Sequence, residues 1–421
     1  VESESLELEH EILETQLPEK MKTSDFIPVL SNRGFLFLWL GQLFSQLADR
    51  LYVYVLMLLA YSLTSSNLGV SMPLLAFGIS SVLFGSVAGV YVDLWNRKWI
   101  LIITSILRGL IILLAIPFVT NSIGAIFLFS FLIYTVAQFF APAESASIPE
   151  LVEKHNLIIA NSLFMMTWMA ASVVGLGLGA PVVAIMGKTG TLLSVGVIYF
   201  LASTAIIFVP LKYHKTDKQE KAKDVYIELW KGFVFIWRNQ VIKYALLKLF
   251  VTTSAIAVIS LLAIPYAEKV LKIGAANYGY LIITTGIGMF VGLLTLHRLT
   301  DSFKKATIVI ASFLVSGSAL FAMAFSDHLG FALFMTFILG VGNIYLTSTI
   351  QTILQNAIPR EMRGRVFGFQ NMLINSSFTL PVVICGLVAD VIGVGATLGL
   401  LGLGVFAMGI AGMFLPKFKT V

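Results

Sequence analysis

Twelve apolar runs follow one another between residues 35 and 416, each bounded by charged or turn-forming residues and each longer than 20 residues. A helix rises 1.5 Å per residue, so a run of roughly 20 residues crosses the ~30 Å hydrocarbon core of a bilayer. Inside that core every backbone N–H and C=O must find its partner within the protein, and consecutive apolar runs meet that demand as helices. The runs read 35–62, 68–92, 99–120, 123–143, 157–185 and 190–210 in the first half, and 243–267, 276–297, 305–326, 329–353, 363–390 and 394–416 in the second. A charged stretch from Lys212 to Arg238 separates them. The pattern predicts an all-α integral membrane protein with twelve transmembrane helices in two pseudo-symmetric six-helix bundles. Its expected parts are an acidic tail (1–32), a first bundle (33–211), a linker (212–242), a second bundle (243–416) and a short C-terminus (417–421).

Composition excludes the soluble alternatives. Only 12% of the 421 residues are charged, against roughly 25% in soluble domains, and mean hydropathy is +0.91. The lone Cys385 and five scattered histidines offer neither a disulfide framework nor a metal cluster. No cofactor or metal is expected. No GxxxxGK[ST] motif is present, so direct ATP hydrolysis is not expected, and no nucleophile–base pair suggests an enzyme. A net charge of +6 is compatible with nucleic acid, but the basic residues sit in short loops between apolar runs.

Those loops set the orientation. With the N-terminus inside, 22 of the 28 lysines and arginines fall on the cytoplasmic side and only Lys188, Lys269 and Lys272 outside. Both termini are therefore expected in the cytoplasm, the protein being multi-pass in the cell (inner) membrane. Residues 1–20 carry seven glutamates and one lysine, the opposite of a secretory signal, and are expected to be a disordered cytoplasmic extension.

The halves echo each other. Ile148-Pro149 and Ile358-Pro359 stand 210 residues apart, and at the same offset Asn161 matches Asn371 and Leu163 matches Leu373. Asp93 with Arg97-Lys98 has a counterpart in Asp301 with Lys304-Lys305. Duplicated six-helix halves are a common transporter plan.

Between the second and third runs, Gly89-Val-Tyr-Val-Asp93-Leu-Trp-Asn-Arg97-Lys98 resembles the loop signature of the major facilitator superfamily, Gly-x-x-x-Asp-(Arg/Lys)-x-Gly-(Arg/Lys)-(Arg/Lys), with Leu94 and Asn96 departing from it. Phe140-Ala-Pro142-Ala143-Glu-Ser-Ala146-Ser-Ile-Pro149-Glu150-Leu151-Val152, continuing to Asn161 and Leu163, resembles the macrolide-efflux and enterobactin-exporter branch of that family. So does Pro359-Arg-Glu-Met-Arg363-Gly364-Arg365-Val366. Gln42, Ser45, Ala48 and Asp49 are similar to a motif of this branch and of lysophospholipid transporters. Gly175-Leu-Gly177-Leu-Gly179-Ala180-Pro181 partly resembles an antiporter signature, although Ala180, Ala184 and Ile185 replace its glycines. The resemblance implies a cytoplasmic gate of Gly89, Asp93, Arg97, Lys98, Glu150, Arg363 and Arg365, with run eleven beside the loop, latching that side in the outward-facing state.

Charges inside the runs are the remaining signal. Asp49 lies ~20 Å deep and Arg108 ~14 Å, and either one isolated there costs several kcal/mol. They are expected to face a central cavity or each other and to serve proton coupling. Glu144 is an alternative partner for Arg108, and Arg50 points about 100° away from Asp49 on its helix. Gln138, Met165, Met166, Trp168, Asn343, Tyr345, Gln351 and Asn375 are candidate cavity residues, suited to a small amphipathic substrate. The expected function is a secondary active exporter, an antiporter of protons against a drug, macrolide or siderophore, acting as a monomer. A lysophospholipid transporter and a non-transporting assembly or sensing factor of the same fold stand as alternatives.

Overall fold

A computed structural model describes residues 26–153, 156–211, 232–359 and 362–414, with a few side chains inside those ranges left out, Asp93 and Arg363 among them. The described chain is helical. Span one is Arg33–Thr64, two Asn67–Leu94, three Arg97–Val119, four Ile123–Leu151, five Leu157–Gly177 and six Gly179–Ile207. Span seven is Gln240–Pro265, eight Gly279–Ser302, nine Lys305–Met323 and ten Leu329–Ala357. Span eleven is split into Arg363–Ser376 and Leu380–Ile392, and twelve is Val394–Met413. Eleven of these are long and apolar enough to cross a bilayer by that measure alone, and span five completes the twelve-helix architecture.

Small polar residues set where the helices begin. Asn32, Ser66, Asn96, Ser122 and Asn239 each stand before a span in extended backbone and accept from amides of its first turn. Such caps satisfy donors that no helical partner reaches. Asn32 also donates to the Leu151 carbonyl at 2.6 Å, tying the start of span one to the end of span four. The face on which span one begins and span four ends is the near face; the opposite one is the far face.

In the first bundle, span one packs on six and five, two on four, and three on four and six; in the second, nine packs on twelve, eight on ten, and ten on nine and seven. Spans eight and ten come so close that a Cβ on Gly340 would collide with the Thr285 carbonyl, and one on Gly288 with that of Phe337. Between the bundles, two meets eleven, five meets eight, and seven touches one and two.

The side-chain contacts that join the halves lie toward the far face. Tyr54 stacks on Tyr278 with centroids 4.5 Å apart, and its hydroxyl donates to the Ala276 carbonyl. Phe77 meets Phe378 edge-on at 5.4 Å, and Asp390 binds the start of span two. At the near face, Gly89 and Gly368 look onto open space. Among the described residues the halves are thus pinned together on the far side and leave open space beside Gly89 and Gly368 on the near side.

Several expectations need correction. Within the expected acidic tail (1–32), Phe26–Ser31 is a helix, and its Val29, 1% exposed, joins an apolar core; the stretch expected to be disordered, residues 1–20, lies outside the described residues. Residues 232–238 of the expected linker are helical, while 212–231 and the C-terminal segment 417–421 are outside the described residues. Span four runs two turns further than its apolar run and includes Pro142 and Pro149. Span eleven breaks at Ser377–Thr379 because Pro381 cannot donate to the carbonyl four residues earlier.

Candidate functional site

The first bundle has two apolar cores rather than one. The far core holds Leu51, Tyr52, Val55, Ile112, Ile133 and Val195, and the near core holds Phe35, Leu38, Leu101, Phe140, Ile148 and Ile206. Between them spans one, three, four and six contribute polar groups: Ser45 and Asp49, Ser105 and Arg108, Glu144, and Tyr199.

Arg108 is the centre of this layer. It is 1% exposed, and its guanidinium sits between two rings, 4.7 Å from the Phe140 centroid and 4.5 Å from that of Tyr199. It donates to Ser45 Oγ at 2.9 Å, to the Thr104 carbonyl at 3.3 Å, and to Asp49 Oδ1 at 3.4 Å. The Tyr199 hydroxyl donates to Asp49 as well. The ion pair is long, and much of what holds the cation comes from the rings and neutral acceptors. Asp49 keeps 28% of its side chain accessible against 1% for Arg108. One member can therefore meet water or a ligand while the other stays sealed.

Glu144 is buried nearer the near face, one helical turn from Phe140, with its Oε1 lacking a hydrogen-bond partner. Arg50 turns away from Asp49 to the face of Trp168, 5.4 Å from the centroid. The second bundle carries its own buried cation, Lys248, 2% exposed and 5.8 Å from the Phe313 ring.

Of the gate residues, Arg97 pairs with Glu150 at 2.5 Å and donates to the Ala146 carbonyl at 2.9 Å, so loop and span four are joined. Lys98 lies beside it in the first turn of span three, and Arg365 reaches the Met362 sulfur at 3.1 Å. The side chains of Asp93 and Arg363 are outside the described residues.

The cavity candidates are scattered. Met165 is 69% and Trp168 48% exposed, the latter beside Arg50. Gln138 faces Gly85 of span two. Tyr345 shares a hydrogen bond with Thr295 at 2.6 Å, and Gln351 accepts from Gln370 at 2.8 Å, so both tie helices together. Asn343 is buried on span ten, and Asn375 is half-buried just before the break in span eleven. Sequence reasoning missed Tyr199 and Asp390. A tyrosine in an apolar run carries no signal of its own, and Asp390 read as the polar end of a run.

Two six-helix bundles that meet on one side, with charges buried in their spans, are the architecture of a membrane transporter. The chain belongs to the Major Facilitator Superfamily, whose sequence profile matches residues 38–382. It is 22% identical over 347 residues to the multidrug efflux pump Tap of Mycolicibacterium fortuitum, spanning 80% of this chain and 84% of Tap. It is 23% identical over 391 residues to the uncharacterized MFS-type transporter YfiS of Bacillus subtilis, spanning 87% and 89%. Among solved structures, a nucleoside transporter NupG variant superposes with a TM-score of 0.79 at 10% identity, covering 90% of this chain and 99% of that one. A bacterial homolog of the human lysosomal transporter Spinster, inward-facing and unoccupied, gives 0.71 at 12%, covering 92% and 95%. At these identities the structural likeness speaks for the fold.

Proposed function

We propose that this transporter is a proton-coupled exporter of small amphipathic organic molecules, with its near face in the cytoplasm of a cell whose membrane it spans as a monomer. The observation that carries the reading is the Asp49–Arg108 pair. A carboxylate left partly accessible at mid-membrane depth, held by a sealed cation, can be neutralised by a proton without dismantling the bundle. The open space beside Gly89 and Gly368 on the near face and the pinned far face fit a cytoplasm-open state, from which a cytoplasmic substrate is collected. Likeness to the pump Tap supports efflux, and the loop charges support the orientation. Arg97, Glu150 and the neighbouring Asp93, Lys98, Arg363 and Arg365 form the near-face latch when the halves close. Export then follows from rocking the halves about the midplane.

The test is flux into sealed vesicles of purified protein under an imposed pH gradient, with ethidium, a catecholate siderophore and a labelled lysophospholipid compared. Gradient-driven movement of ethidium or the siderophore, lost in Asp49→Asn, is expected. Full activity in Asp49→Asn, or movement of the lysophospholipid alone, overturns the reading.

A further inference from the structure

We propose that Glu144 is a second proton-binding site of this transporter, alternating with Asp49 as the carboxylate that faces Arg108. The inference rests on the proton-coupled reading for its purpose, and on the geometry of span four for its location.

Span four brings Phe140 and Glu144 to one side of the helix, since residues four apart lie one above the other. Arg108 stands 4.7 Å from the Phe140 ring, so the carboxyl one turn below is on the cation's side. The charged groups that act on Glu144 are Arg108 from span three and Asp49 from span one. Tyr199 of span six is committed to Asp49, and Arg97 to Glu150 at the near-face end of span four. One cation therefore serves two carboxyls.

Both cannot be ionised together. A buried carboxylate needs hydrogen bonds or a cation of its own, and the cost without them runs to several kcal/mol. Asp49 holds the guanidinium and the Tyr199 hydroxyl, whereas Glu144 Oε1 has no hydrogen-bond partner and the residue is 7% exposed. In this conformation Glu144 carries the proton. Moving that proton to Asp49 leaves Glu144 ionised, and the guanidinium, held by rings on both sides, turns to it; charge is conserved throughout.

The order of depth gives the exchange a direction. Counted along each helix from its near-face end, Glu144 lies about 10 Å in, Arg108 about 16 Å and Asp49 about 24 Å. A proton taken up at Asp49 has its next site behind Arg108, closer to the near face, where a cytoplasm-open transporter releases it.

Difference infrared spectroscopy of purified protein in lipid, recorded against pH, reads the carboxylic acid directly and needs no substrate. The wild type is expected to show the carbonyl band of a buried protonated carboxyl at neutral pH. Glu144→Gln should lose the band, Asp49→Asn, which leaves the guanidinium to Glu144 alone, should weaken it at neutral pH, and Glu144→Asp should shift it if the glutamine variant fails to fold. Absence of the band in the wild type, or its persistence in Glu144→Gln, overturns the proposal. A band that behaves as expected in a protein whose flux ignores pH would retain Glu144 as a proton site and dismiss only the coupled-transport reading.

Discussion

The carboxylate of Asp390, at the far end of span eleven, sits on the first turn of span two in the other half, where the Asn67 amide donates to it at 2.7 Å. Ser66 Oγ at 2.6 Å, Asn67 Nδ2 at 2.7 Å and the Leu68 amide at 3.0 Å donate to the same group. A helix start offers free amides and partial positive charge, and here an acid from the opposite bundle occupies them. This is a clasp between halves, and a state open to the far face must release it.

Asp390→Ala therefore weakens far-face closure, by about 2–4 kcal/mol when four charge-assisted bonds are lost together. The reporter is a cysteine at Ala276, whose carbonyl lies under the Tyr54 hydroxyl, in a Cys385→Ser background. Its reaction with an impermeant maleimide added from the far side should speed up in Asp390→Ala. An unchanged rate would assign the clasp no part in holding the halves together.

Arg108 gives a different kind of prediction, because its removal strands a carboxylate. Arg108→Ala leaves Asp49 without its cation and removes the plane packed between Phe140 and Tyr199. Breaking a buried pair from one side costs about 3–5 kcal/mol. Thermal unfolding in detergent should show a marked loss of Tm for the single variant, and partial recovery when Asp49→Ala is added. No recovery in the double variant would mean that the rings and Ser45, rather than the charge, hold the layer.

The spans were legible in the sequence because hydropathy alone measures them, whereas for Arg108 the sequence left a cavity, Asp49 and Glu144 open as what it faces. What escaped lay where polarity and helix disagree. Span four continues past its apolar run, so Glu144, read as a span end, is two turns inside a helix. The break in span eleven rests on Pro381 together with Ser377, which shares a hydrogen bond with Thr253 of span seven at 2.7 Å, a partner no local pattern names. Tyr345 and Gln351, read as cavity residues, have partners on neighbouring helices that the sequence does not name, since a hydrogen-bonding group in an apolar run looks the same in either role.

The crossing of spans eight and ten rests on two glycines that approach the opposite backbone. A methyl at residue 340 meets the Thr285 carbonyl, which is helical backbone and cannot rotate away as a side chain can. Gly340→Ala is expected to force the helices apart at a cost of about 1–3 kcal/mol. Gly89→Ala, at a position facing open space in this conformation, should leave Tm unchanged in the same assay. Equal stability of the two variants would contradict the packing described.

Helix Gly179–Ile207 is broken at one residue. Gly187 has φ +68° and ψ +175°, a combination available almost only to glycine, and helix resumes directly at Lys188, whose ammonium donates to Ser62 Oγ at 2.7 Å. A Cβ there would meet nothing, so any penalty is backbone strain alone. Gly187→Ala should lower stability by about 1–3 kcal/mol. Asparagine, which eases many left-handed positions, does so near ψ +47° and gains nothing at this ψ. Gly187→Asn is thus expected to unfold at the same temperature as Gly187→Ala. If asparagine instead restored wild-type stability, the turn would have to be an ordinary left-handed one, and the two helices would leave it at a different angle.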